Sequence, residues 1–96
     1  RMRNKMDEYG LLFYFYQVMK ERGINHNQVF LSVDEDMLVA LRAKYTEQLT
    51  LSQVEELADI CLANEWLQRT TADPHYNFLS LTEKGLNVIL ANQYSS

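Results

Sequence analysis

Cysteine occurs once in this chain, proline once and glycine three times. A single thiol, Cys61, builds neither a disulfide framework nor a cysteine-based metal site within one chain. It stands between Ile60 and Leu62, with no Lys, Arg or His close in sequence to lower its pKa, and reads as buried and inert. Such cysteine usage suits a reducing cytoplasm. So few glycines, none in a phosphate-loop pattern, leave nothing to cradle a nucleotide. Long apolar runs are also missing. "YGLLFYFYQVM" covers about eleven residues, against the roughly 20 that a membrane span needs. Arg1, Arg3 and Lys5 resemble the charged start of a leader, but Asp7 and Glu8 interrupt the approach to that stretch and no small-residue cleavage site follows. A soluble, cytoplasmic protein is expected, with residues 1–5 flexible. Positive charge is in deficit too. The formal net charge of -4 weighs against an obligate nucleic-acid binder, although one basic face can sit on an acidic molecule.

What remains is ordinary globular material. Ninety-six residues, 47% of them hydrophobic, predict one domain over 1–96 that buries roughly 65% of its unfolded surface. The chain begins at Arg1, which leaves open that this domain belongs to a longer protein.

Periodicity and caps divide the chain. A first helix is predicted from about Met6 to Arg22, closed by Gly23. Its apolar residues run round more than one stripe, which calls for burial on two sides: its own core and, equally, a partner chain. "QVFLS" reads as one short strand. Ser32 precedes Glu35 at capping-box spacing and predicts a second helix to about Tyr45, with Met37, Leu38, Leu41 and Tyr45 inward. A third helix opens at Thr50 with Gln53 or at Ser52 with Glu55, and buries Val54, Leu57, Ala58, Cys61 and Leu62. "WLQRTT" and "NFLSL", separated by "ADPHY", predict a hairpin, since Asp-Pro initiates turns. Thr82 then caps a last helix, about Glu83 to Asn92, with Leu86, Ile89 and Leu90 inward. The fold class expected is mainly α with a small β-hairpin.

That order, together with "LADICLANEWLQRTT" and "YNFLSLTEKGLNVI", resembles the winged helix-turn-helix superfamily as it occurs in bacterial transcription regulators. The match covers about Leu12 to Leu90. The resemblance implies a dimeric, DNA-associated regulator whose third helix enters the major groove and whose hairpin, the wing, lies along the backbone. The superfamily commonly has Gly near the end of the third helix; this chain has Asn64 and Glu65, and since Asn can take the same left-handed cap the departure does not threaten the fold.

The chemistry of the third helix pulls the other way. From Leu51 to Glu65 it carries Glu55, Glu56, Asp59 and Glu65 and no Lys or Arg. Phosphates repel such a face. The DNA-contact candidates are therefore Ser52 and Gln53 at its start and, on the hairpin and after it, Arg69, Thr71, His75, Tyr76 and Lys84. Each also has a plain reading: Arg69 as a solvated strand residue, His75 as a tip residue. Leu12, Phe13, Phe15, Tyr16 and Met19 are the candidates for a homodimer seam, and Trp66 for a plug between third helix and hairpin. His26 lacks a neighbouring ligand, and "DEDM" lacks the glycine and distal Glu of a calcium loop, so no metal and no cofactor are implied. No nucleophile-and-base arrangement is visible, and the chain reads as no enzyme. The leading expectation is a DNA-associated, homodimeric regulator. The alternative is a protein-interaction or oligomerisation module that does not bind DNA.

Overall fold

A computed structural model describes residues 6–45 and 48–95, the last three by backbone alone. The elements run α1 (Glu8–Arg22), a 3-10 turn (His26–Gln28), β1 (Phe30–Leu31), α2 (Glu35–Lys44), α3 (Leu51–Ala63), β2 (Leu67–Arg69), β3 (Leu79–Leu81) and α4 (Glu83–Ser95). The molecule is thus mainly helical with a small antiparallel sheet. Its strand order is β1-β3-β2, so the strand before α2 joins the hairpin and completes a three-stranded sheet.

Side-chain caps set most of the helix starts. The Asp7 carboxylate accepts from the Gly10 amide at 2.8 Å, so α1 begins at Glu8 and not at Met6. Asp34, not Ser32, caps α2 and accepts from the Met37 amide at 3.0 Å. Ser32 is occupied elsewhere: its hydroxyl oxygen accepts from the Phe78 amide at 3.0 Å, which fastens the end of β1 to the start of β3. Thr50 and Gln53 form the capping box of α3, each side chain accepting from the other's backbone amide. Thr82 caps α4 by accepting from the Gly85 amide, and the helix continues to Ser95, past the expected Asn92.

Both α1 and α3 end in the same closing motif. Beyond α1, the Ile24 amide reaches Met19 and Gly23 takes φ 65°. Beyond α3, the Trp66 amide reaches the Cys61 carbonyl at 2.9 Å and the Glu65 amide reaches Leu62 at 3.0 Å. There the left-handed residue is Glu65, with φ 63°, and Asn64, which can also take that conformation, stays right-handed. Asn64 instead donates its side-chain amide to the Ile60 carbonyl at 2.9 Å.

The strand expected over "QVFLS" shrinks to Phe30–Leu31: a 3-10 turn, in which the Gln28 side-chain oxygen accepts from the Asn25 amide at 2.9 Å, takes Gln28 and is capped by Val29. The core is one cluster. Leu11, Leu12 and Phe15 of α1 lie fully inside it, with Val54, Ala58 and Cys61 of α3, Met37, Leu38 and Leu41 of α2, and Leu67, Leu79 and Leu81 of the sheet. α1 is the central element, packed against α3, α4 and β3. Leu11, Leu12, Phe15 and Tyr16 of α1 are thus buried within the chain, whereas Tyr9 is exposed and Phe13, Tyr14, Val18 and Met19 are half-buried. Among the described residues, no helix is long and apolar enough to cross a membrane.

Candidate interaction surface

The hairpin loop, residues 70–78, builds its own tip. The Asp73 carboxylate accepts from the His75 amide at 2.9 Å and from the Asn77 side-chain amide at 3.0 Å, the turn that Asp before Pro favours. These two hydrogen bonds hold the Asp73 carboxyl below the usual carboxylate range. The Thr71 hydroxyl oxygen accepts from the Asp73 amide at 3.2 Å. From β2, the Arg69 guanidinium donates to the carbonyls of Asp73 and His75 and lies over the Tyr76 ring, 5.4 Å from its centroid.

Tyr76 ties this tip to the third helix. Its hydroxyl donates to the Asp59 carboxylate, 2.9 and 3.0 Å from the two oxygens, and its carbonyl accepts from the Val33 amide at 2.8 Å. The bond to Asp59, then partial burial, then the charges of Asp59 and Glu55 raise the Tyr76 pKa. The hairpin tip thus lies on the outer, acidic face of α3. Around it Ser52, Gln53, Glu56 and Asp59 are exposed and Glu55 is half-buried.

The sequence candidates separate into three groups in space. Arg69, Thr71, His75 and Tyr76 share the hairpin tip. Ser52 and Gln53 sit at the first turn of α3, where the Gln53 side-chain oxygen is already taken by the Thr50 amide. Lys84 lies past the opposite end of that helix, with its ammonium 3.9 Å from Glu65 in an exposed pair. Since α3 is about 18 Å long at 1.5 Å per residue, Lys84 and Ser52 do not meet one short surface.

No known protein family, curated protein or solved structure matches this chain. Of the seam candidates, Leu12 and Phe15 are wholly buried and Tyr16 is 8% exposed, all within the chain's own core. They have almost no surface to offer a second copy. Phe13 and Met19 are half-buried. Phe13 follows Tyr9 by one helical turn, and the Tyr9 ring meets Trp66 with centroids 5.5 Å apart, so Trp66, expected between the third helix and the hairpin, also packs on α1.

The basic cluster Arg1, Arg3 and Lys5 lies outside the described residues, and no group of three His, Cys, Asp or Glu side chains suited to a metal occurs among the described ones. Cys61 is buried, with its sulfur 3.6 Å from the Glu8 carbonyl; burial, then the charges of Glu8 and Asp7, push the thiol up to about 12. Two exposed aromatic residues carry no local sequence signal. Phe30 and Phe78 are 48% and 55% exposed, and Phe78 has φ 55°, an unusual state for an aromatic residue. Alternation alone does not reveal them, because β1 is only two residues long and Phe78 precedes its strand.

Proposed function

We propose that this chain is a winged helix-turn-helix domain that works as a protein-interaction module and carries out no catalysis. The element order and the β1-β3-β2 sheet support the fold assignment, with residues 70–78 as the tip of the wing. The functional reading rests on one observation: the Tyr76 hydroxyl donates to Asp59, with Arg69 over the tyrosine ring. In a winged helix, α3 is the element that would enter a DNA groove. Here its outer face carries Glu55, Glu56 and Asp59, and the wing tip is bonded to it. Duplex DNA would have to displace Tyr76 and then meet carboxylates across a phosphate-lined groove, a like-charge juxtaposition that costs several kcal/mol. A basic protein surface meets the same face favourably.

The experiment is a mobility shift with random-sequence duplex at about 50 mM salt, where electrostatic binding is strong. No retardation is expected. A shift that weakens with salt and with Arg69→Ala would overturn the reading in favour of DNA.

One observation favours a second reading, a DNA-associated regulator. Arg69, Thr71 and His75 are all exposed on one tip, and a wing can lie along a DNA backbone with α3 contributing only Ser52 and Gln53 at its start. Lys84 then contributes separately. In either reading a homodimer would use the outer strip of Tyr9 and Phe13 with Trp66.

A further inference from the structure

The sheet has two outer edges, and they differ in chemistry. Along β2, an open hollow of about 390 Å³ is flanked by Glu65 and Arg69, charges of opposite sign. Beside β1, a groove of about 220 Å³ is lined by Tyr14, Phe30, Leu31 and Met37, and its charged lining residues are Asp34 and Asp36. That volume falls below the few hundred Å³ of a small-molecule pocket, and suits side chains of a bound segment. β1 is an outer strand of the sheet, with no further strand beside it among the described residues.

We propose that this groove binds an extended, cationic segment of a partner protein by adding it as a strand beside β1. The inference rests on the interaction-module reading and names the partner chemistry for one surface of it. Main-chain pairing along β1 would supply part of the affinity, and alternate side chains would enter the groove over Phe30 and Tyr14. Charge complementarity chooses the occupant. Asp34 and Asp36 line the groove with no Lys or Arg, and the whole chain carries -4. Tyr14 reports the same field: burial and then the Asp34 charge raise its pKa, while Glu21 and Arg22 act on it in opposite directions. Phe30, 48% exposed on an edge strand, leaves apolar surface for the incoming segment to cover.

The test uses the whole chain and three labelled hexapeptides: alternating arginine and valine, the same with alternate backbone nitrogens methylated, and alternating glutamate and valine. Fluorescence anisotropy is expected to give saturable binding of the arginine peptide and none of the glutamate one. Methylation, which blocks strand pairing, is expected to weaken binding at least tenfold. Asp34→Asn with Asp36→Asn, which keeps a capping side chain at position 34, is expected to weaken it about fivefold, the scale of two exposed ion pairs. Phe30→Lys should abolish it; circular dichroism checks that each variant stays folded. Equal binding of the methylated peptide, or binding that survives all of these substitutions, overturns the proposal. Loss of binding with Glu55→Gln and Glu56→Gln instead moves the cationic partner to α3, which overturns the groove while leaving the interaction-module reading intact. Self-association of the chain that disappears with Phe30→Lys also overturns it, since the edge then belongs to a second copy.

Discussion

Gly85 has room for hydrogen and nothing larger: a Cβ there would come within 2.3 Å of the Trp66 carbonyl oxygen, a backbone atom that cannot swing aside. The "LTEKG" step is thereby explained as a place where α4 starts directly on the chain leaving α3. Gly85→Ala is expected to cost about 1–3 kcal/mol in urea unfolding, the usual range for overpacking. Glu65 is the opposite case, since its side chain is exposed and only its φ of 63° is unfavourable. Glu65→Gly should stabilise the protein by roughly 0.5–1 kcal/mol, the relief of a left-handed residue less the extra chain entropy of glycine. A loss on that substitution would mean that the Lys84–Glu65 pair outweighs the backbone term. Cys61, with its thiol pushed up to about 12, is expected to resist a thiol reagent at neutral pH until the chain is unfolded. The residue type and its apolar neighbours made that legible in the sequence.

At the scale of elements, the threonine caps differ in what they join. Thr50 serves α3 alone, whereas the Thr82 hydroxyl also donates to the Glu65 carbonyl at 2.6 Å and so couples α4 to the end of α3. Thr50→Ala should cost about 1 kcal/mol and Thr82→Ala about 2, measured by chemical denaturation. Equal losses would show that the second bond contributes nothing. The hairpin tip has a pH dependence of known sign. The Asp73 carboxyl is held low by the His75 amide and then by Asn77, so its contribution to order is present above the ordinary carboxylate pKa and is lost as pH falls through the depressed folded value. The His75 amide shift should therefore inflect below the ordinary range of about 3.9, and Asp73→Asn should remove the inflection. Helix positions and the hairpin were readable because caps, Asp-Pro and periodicity act locally. Ser32 misled for the same reason: its spacing to Glu35 is right, but a partner 46 residues away competes for its oxygen and Asp34 is the better placed cap.

For the whole molecule, α1 divides its apolar residues between the core and the surface. Leu12, Phe15 and Tyr16 belong to the core cluster, which leaves Tyr9, Phe13 and Trp66 as the aromatic strip available to a second copy. If the chain dimerises through α1, Tyr9→Lys with Phe13→Glu should yield a monomer in sedimentation; a dimer indifferent to both would put the seam elsewhere. Burial was not predictable from composition. The same ring of Phe and Tyr side chains suits an interface or a central helix, and the placement of α3, α4 and β3 around α1 puts Phe15 and Tyr16 in the core while leaving Tyr9 exposed.

The sequence by itself determined the mainly helical class, the single inert thiol, the caps at Thr50 and Thr82, the hairpin around Asp73-Pro74 and the acidity of α3. These depend on residue type and on neighbours within a few positions. The tertiary structure decided that β1 completes the sheet, that Asp59 receives the Tyr76 hydroxyl across 17 residues, that Lys84 stands apart from the hairpin tip, and that Phe30 borders an acidic groove. Each of these joins side chains far apart in the chain, and such meetings are set by how helices and strands pack.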